Sequence, residues 1–161
     1  MEKKRFWLST ITAWLLFVGI DFLFHASILQ NIWKEITAAK PLEELALLIP
    51  VGYTGFLLLT ILIGYLFVNI YKEKLQLKEV VKFGIIFGGL YSLSSFLGSF
   101  SFINIPIFFL TLINIVNFIE IFGVVIVYNN LLYGNRFRRK TGIIISVFII
   151  LLIFGIIIQN I

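Results

Sequence analysis

Long unbroken apolar runs, separated by short stretches where charge collects, organise this chain. Five runs reach the roughly 20 residues that a helix needs to cross a bilayer: Phe6–Leu29, Ala46–Ile70, Val80–Phe102, Ile107–Leu132 and Thr141–Ile161. They are continuous rather than alternating, which argues against a membrane β-barrel. In lipid each run must satisfy its own backbone hydrogen bonds, and a helix does so. The pattern therefore predicts an all-α, polytopic transmembrane bundle of five spans in a single domain, residues 1–161, with no linker or low-complexity stretch to divide it. Pro106, in the short link Asn104-Ile105-Pro106, marks a helix start or break between the third and fourth spans, and Pro50 starts or kinks the second. Between the first two, Pro41 followed by Glu43-Glu44 resembles the first turn of a short surface helix, since proline suits the first helical position and acids suit the positive end of the dipole.

The basic residues orient these spans. Lys3, Lys4 and Arg5 precede the first, Lys72, Lys74, Lys78 and Lys82 follow the second, and Arg136, Arg138, Arg139 and Lys140 precede the fifth. Those three groups hold all but two of the thirteen basic residues, and with five spans they fall on one side. The other side keeps Lys34 and Lys40, beside Glu35, Glu43 and Glu44. By the positive-inside rule the N-terminus is expected in the cytoplasm and the C-terminus outside, in a cytoplasmic membrane. Trp7 and Trp33, near the two ends of the first span, suit headgroup anchoring. The first span is too long, and too interrupted by Asp21, for a cleaved signal peptide.

Composition agrees and removes alternatives. At 60% hydrophobic, 13% charged and a mean hydropathy of +1.06, a soluble fold of 161 residues could not hide its apolar surface. Without cysteine there is no disulfide, thiolate metal site or cysteine nucleophile, and the redox compartment cannot be read. A net charge of +5 is compatible with nucleic acid, but the basic clusters are simpler as topology signals, with anionic lipid as a secondary partner.

The candidate chemistry lies inside the apolar runs. Asp21 and His25, the only histidine, are four residues apart and share a helical face with Thr10, Trp14 and Phe17. An unpaired charge in hydrocarbon costs at least about 2.5–3.5 kcal/mol on insertion scales, so these groups must pair, point inward or neutralise. One reading is a structural pair that orients the first helix; the other is a proton- or cation-binding site. The fourth span brings Asn114, Asn117 and Glu120, spread over about 120° of the helix, with Thr111 before and Tyr128 after. Counted at 1.5 Å per residue from the ends opposite the basic groups, Asp21 is about 12 Å deep and Glu120 about 20 Å, with Asn114 and Asn117 near the depth of Asp21. A single cluster in the outer half of the membrane follows. In the third span Gly84, Gly88, Ser92, Ser95 and Ser99 fall within about 80°, a stripe suited to close helix packing; a sharper expectation is that Ser95 and Ser99 line the polar cluster. Tyr53, Thr54, Thr60 and Tyr65 of the second span carry no specific signal. The fifth span, nearly all Ile, Phe and Leu, is expected to face lipid.

Specific enzyme motifs are missing. Glu43-Glu44 matches the glutamate pair of membrane prenyl-endopeptidases, but Leu48 stands where that family has arginine. The rhomboid-type Gly-x-Ser-Gly pattern does not occur, nor does a phosphate loop, dinucleotide fingerprint or haem-ligand pair. Two carboxylates and one imidazole form an acceptable ligand set for iron, manganese or zinc, but with one histidine and no cysteine neither a metal nor a cofactor is expected. From Gly19 to Gly134, the polar first helix ending in an aromatic turn (Asp21…Trp33), the Gly88-Gly89-Leu90-Tyr91 stretch and the Asn117…Glu120…Gly123 helix resemble small bacterial and archaeal multi-pass membrane families classed as domains of unknown function. Those have four helices, and the resemblance implies no activity. The five-helix translocator-protein family has a similar length, but its Trp/Pro-rich first loop is not matched by Gln30–Leu45. The expectation is a non-enzymatic binding or accessory protein, with a homo-oligomer or a membrane-protein partner; the alternative is a small transporter or channel subunit for a proton, cation or small polar solute.

Overall fold

The computed structural model describes residues 3–35 and 42–161, and the side chains of all of these except 35, 42, 43, 45 and 46. Every regular element among the described residues is helical: α1 (Lys3–Asp21), a π-helical segment (Phe22–Ile28), α2 (Gln30–Glu35), α3 (Leu42–Ile70), α4 (Leu77–Phe102), α5 (Ile107–Leu132) and α6 (Phe137–Gln159). Five stretches are long and apolar enough to cross a membrane: Lys3–Ile28, Leu47–Ile70, Leu77–Phe102, Ile107–Leu132 and Phe137–Gln159. These are the five runs of the sequence, with ends shifted by a few residues. The third, the most polar, is a full helix whose start is fixed by a capping box: the Gln76 backbone N–H donates to Glu79 Oε2 (3.1 Å), and the Gln76 side chain accepts from the backbone one turn in.

The hub of the bundle is α5. It packs on α1, α3, α4 and α6, and it contributes most of the core, from Ile121, Val124 and Val125 to Tyr128 and Leu131. The third span, expected as a close-packing helix, makes the most extensive of these contacts, α4 against α5. The small-residue stripe of α4 is real, but it serves one neighbour: an added Cβ at Gly84 would meet the Phe122 ring at 2.5 Å, and one at Gly88 would meet Phe118 at 3.2 Å. Small residues report how closely two helices approach, not how many helices surround them. Gly84, Gly88 and Ser92 are buried on this seam, with Ser95 and Ser99 half-buried. On the other side of α5, α6 leans on α1 and the π segment, where Gly155 receives Phe22 and Ser27. The rest of α6 is largely exposed apolar surface, as a lipid-facing helix should be.

Polar links tie the end that carries the basic residues. Arg5 Nε donates to the Leu131 carbonyl (2.7 Å) and its guanidinium also donates to the Gly134 carbonyl. Asn129 pairs with the Leu75 backbone in both directions, its Oδ1 accepting from Leu75 N (2.9 Å) and its Nδ2 donating to Leu75 O (3.3 Å), and Tyr133 donates to the Tyr71 carbonyl (2.6 Å). Burial pushes the Tyr133 phenol up from its ordinary value. At the opposite end, Gln159 donates to the Ala26 carbonyl (2.7 Å) and Trp33 stacks edge-on against Phe109 at 4.8 Å.

Two local expectations change. Pro41 lies outside the described residues, but the helix that begins at Leu42 runs without interruption into the second span, with Pro50 in its interior. A separate surface helix and a helix start at Pro50 are both replaced by one 29-residue helix. The first span is not a single α-helix: after Asp21 the backbone widens into the seven-residue π segment.

Candidate functional site

The π segment delivers the histidine. Its widened pairing shows in the bond from Leu29 N to the Phe24 carbonyl (2.8 Å), five residues back, and Ser27 Oγ donates to Phe22 O across the same interval (3.1 Å). A π segment has poorer backbone geometry than an α-helix and is frequent at functional sites. Asp21 is the residue at which α1 ends and the widening begins, so the two polar side chains flank the change of helical pitch. Sequence spacing placed them on a common face, and they remain neighbours.

Asp21, His25 and Glu120 converge. Each offers a ligand atom, carboxylate oxygen or imidazole nitrogen, and all three atoms lie within 4.8 Å of one another. Glu120 is only 1% exposed, while Asp21 and His25 are half-buried at the α1–α5 interface. No hydrogen bond joins any two of the three among the described residues, and both His25 Nδ1 and Glu120 Oε1 are buried without a partner. The simple structural pair, aspartate bonded to histidine, is therefore not what the geometry provides. Instead, two carboxylates and an imidazole are gathered around a common point, with one oxygen and one nitrogen left unsatisfied. Buried polar atoms in native folds are nearly always partnered, so such orphans point to a ligand, ion or water.

The surroundings come from three more elements. Tyr53 of α3 lies within electrostatic range of Asp21, and Tyr91 of α4 within range of Glu120. Tyr53 is fixed by the Trp14 indole, which donates to its carbonyl at 2.9 Å, and by the neighbouring Phe17–Phe56 stack at 4.6 Å. On the side away from the basic end, the His25 ring lies 5.9 Å from Trp33, which packs with Phe109, Leu29, Ile32 and Ile113. Trp33 is half-buried, whereas Trp7 is 52% exposed.

The other candidates lie on neighbouring turns of α5 and on α4. Asn114 is buried, but its amide nitrogen turns back to the Leu110 carbonyl (2.8 Å) and its Oδ1 has no partner. The α4–α5 register puts Asn114 level with Ser92, whose hydroxyl is also buried and unpartnered. Asn117, one turn before Glu120, is half-buried. From α4, Tyr91 interacts electrostatically with Glu120, and Ser95 and Ser99 are half-buried. Tyr128, Thr10 and Thr60, named separately in the sequence, meet in a link that their spacing did not show: the fully buried Tyr128 hydroxyl lies 2.9 Å from the Thr60 carbonyl, to which it donates, and 2.9 Å from Thr10 Oγ1, joining α5 to α3 and α1. The surface groove lined by Tyr71, Lys82, Phe83, Phe87 and Tyr91, about 580 Å³, runs along α4 toward the basic end.

Fold and site together define a helical protein with five candidate membrane spans and a carboxylate–imidazole cluster buried between the first and the fourth. No known family model, curated protein or solved structure matches the chain.

Proposed function

We propose that this chain is a multi-pass protein of the cytoplasmic membrane, N-terminus inside and C-terminus outside, whose Asp21–His25–Glu120 cluster binds a cation. Binding, rather than catalysis, is its role in this reading. One observation carries it: two carboxylates from different helices face each other in an apolar interior with no lysine or arginine paired to either among the described residues. An ion-pair partner is what normally makes buried carboxylates tolerable, and intramembrane acids without one mark ion or proton sites. Passage through the bundle is the less favoured role, since Glu120 is sealed and the groove on α4 is lined by other residues.

Thermal unfolding of the full chain in lipid nanodiscs tests this. Across a panel of protons, alkali, alkaline-earth and transition-metal cations, at least one is expected to raise the melting temperature of the wild type and to lose that effect in Glu120→Gln. If every cation and every pH shifts wild type and variant alike, the cluster is only a packing device and the reading is wrong.

A further inference from the structure

The chemistry of the three side chains narrows the cation. We propose that Asp21, His25 and Glu120 form a binding site for one divalent first-row transition-metal ion, such as Mn²⁺, Fe²⁺ or Zn²⁺. This inference rests on the cation-binding reading and makes it specific.

Charge supports a divalent ion. Two ionised carboxylates in an apolar interior leave a charge of minus two, which a divalent ion cancels and a monovalent ion only halves. A neutral imidazole adds a donor without adding charge, and would contribute little to a purely electrostatic sodium or potassium site. The donor set then selects within the divalent ions. Magnesium and calcium prefer all-oxygen shells, and magnesium also keeps much of its water. Imidazole nitrogen suits iron, zinc, nickel and copper, while carboxylates suit manganese, and their mixture falls in the first-row transition series. Cysteine, which would favour zinc in a closed structural site or cuprous copper, does not occur in the chain.

The distances are suitable. Metal–nitrogen and metal–oxygen bonds of about 2.0–2.2 Å place two ligand atoms about 3–4 Å apart around one ion. The three ligand atoms lie within 4.8 Å of one another, so a contraction of about 1 Å, within the reach of side-chain rotation, closes them on a metal. No hydrogen bond has to be broken at Glu120 Oε1 or His25 Nδ1 for them to turn toward a metal. Asp21 and His25 flank the start of the π segment, whose widened pitch sets the angle between two ligands of the same helix. Three protein ligands leave coordination positions for water or for a further donor.

The test uses the full chain in nanodiscs, stripped with chelator and dialysed against Mn²⁺ or Zn²⁺, with bound metal measured by elemental analysis and Mn²⁺ also by electron paramagnetic resonance. One metal per chain is expected, with imidazole ¹⁴N couplings in the Mn²⁺ spectrum, undiminished by a large excess of Mg²⁺ or Ca²⁺. His25→Phe keeps an aromatic ring against Trp33 but cannot ligate; its affinity should fall by more than about a hundredfold, the upper range for loss of an outer-shell group, and the ¹⁴N couplings should vanish. Asp21→Asn and Glu120→Gln should each weaken binding comparably. Folding of every variant is checked by its melting temperature in chelator, and any one of the three that folds and loses metal supports the site. If the wild type binds neither metal, or His25→Phe binds as the wild type does, the inference is overturned. Should protons or other cations still stabilise the wild type but not Glu120→Gln, the broader cation reading survives; should nothing do so, both fall together.

Discussion

Glu120 of α5 and Asp21 of α1 hold their carboxylates within 4.8 Å of one another, with His25 as the third member of the group. Each charge makes the other harder to bury. Without a cation, at a pH high enough to ionise both, Asp21→Asn or Glu120→Gln should therefore stabilise the protein. The double variant should gain less than the sum, with a coupling of about 0.5–3 kcal/mol, because both substitutions relieve the same repulsion. A saturating cation should reverse the order: at a hundred times its dissociation constant it adds about 2.7 kcal/mol to the wild type alone. Unfolding curves for the four proteins, with chelator and with cation, are the measurement, and equal stability of all four in both conditions would refute the coupling.

The convergence of these carboxylates was legible in the sequence for a simple reason. Lipid forces each apolar run into a helix with a fixed rise, so depth can be counted from residue number, and Asp21 and Glu120 fall in the same half of the membrane, about 8 Å apart in depth. The spans were legible on the same grounds. The π segment was not, because Phe22–Ile28 has the composition of any apolar helix and only the hydrogen-bond interval changes. Nor was the role of Tyr128, since one tyrosine in a run of valines carries no periodic signal, and its partners Thr10 and Thr60 lie on two other helices. The small-residue stripe was legible too, but Gly84 and Gly88 speak only for the contact between α4 and α5 and do not reveal α5 as the hub.

The Tyr128 hydroxyl gives a second prediction. Tyr128→Phe keeps the ring stacked near Phe6 and Phe67 and removes only the link to Thr60 and Thr10. A loss of about 1 kcal/mol is expected, the net worth of one hydrogen bond. Cation-induced stabilisation should be unchanged, because Tyr128 lies about two turns along α5 from Glu120, toward the basic end. A change in cation affinity in this variant would mean that the α1–α5 interface responds as one unit.

Glycines divide by what faces them. A methyl group at Gly155 would stand 2.6 Å from the Phe22 ring and 2.8 Å from Ser27 Oγ, and one at Gly84 would stand 2.5 Å from Phe122. Gly155→Ala and Gly84→Ala should each destabilise by about 1–3 kcal/mol, as overpacking does. Gly52 and Gly55 lie in α3 with nothing within 4 Å. Alanine at either should stabilise the helix by up to about 1 kcal/mol. Melting temperatures of the four single variants decide it, and no loss in Gly155→Ala would argue against the packing of α6 on the π segment.

The absence of cysteine makes orientation directly testable. Glu73 and Asn135 are exposed at the basic end, and Asn104 and Asn160 are exposed at the other. Single cysteines at Asn104 and Asn160 should react with a membrane-impermeant maleimide in intact cells. Cysteines at Glu73 and Asn135 should react only after permeabilisation. The opposite result would invert the topology, and a mixed result within either pair would contradict five crossings.

Arg5 supplies the last prediction, and it separates two roles that one residue can hold. As a topology signal any positive charge near the first span will serve. In the fold, however, Arg5 does more: its guanidinium donates to the carbonyls of Leu131 and Gly134, where the last turn of α5 leaves carbonyl oxygens without helical partners, and it lies 5.5 Å from the Phe137 ring. A planar fork can bridge two carbonyls and stack on a ring, whereas an ammonium is a point charge on a flexible stem. Arg5→Lys should therefore keep the orientation, read by the same cysteine labelling, yet lose about 1.5–3 kcal/mol, the range for hydrogen bonds to a charged donor. If Arg5→Lys melted with the wild type, the charge alone would suffice and the bridge between α1 and the end of α5 would add nothing to stability.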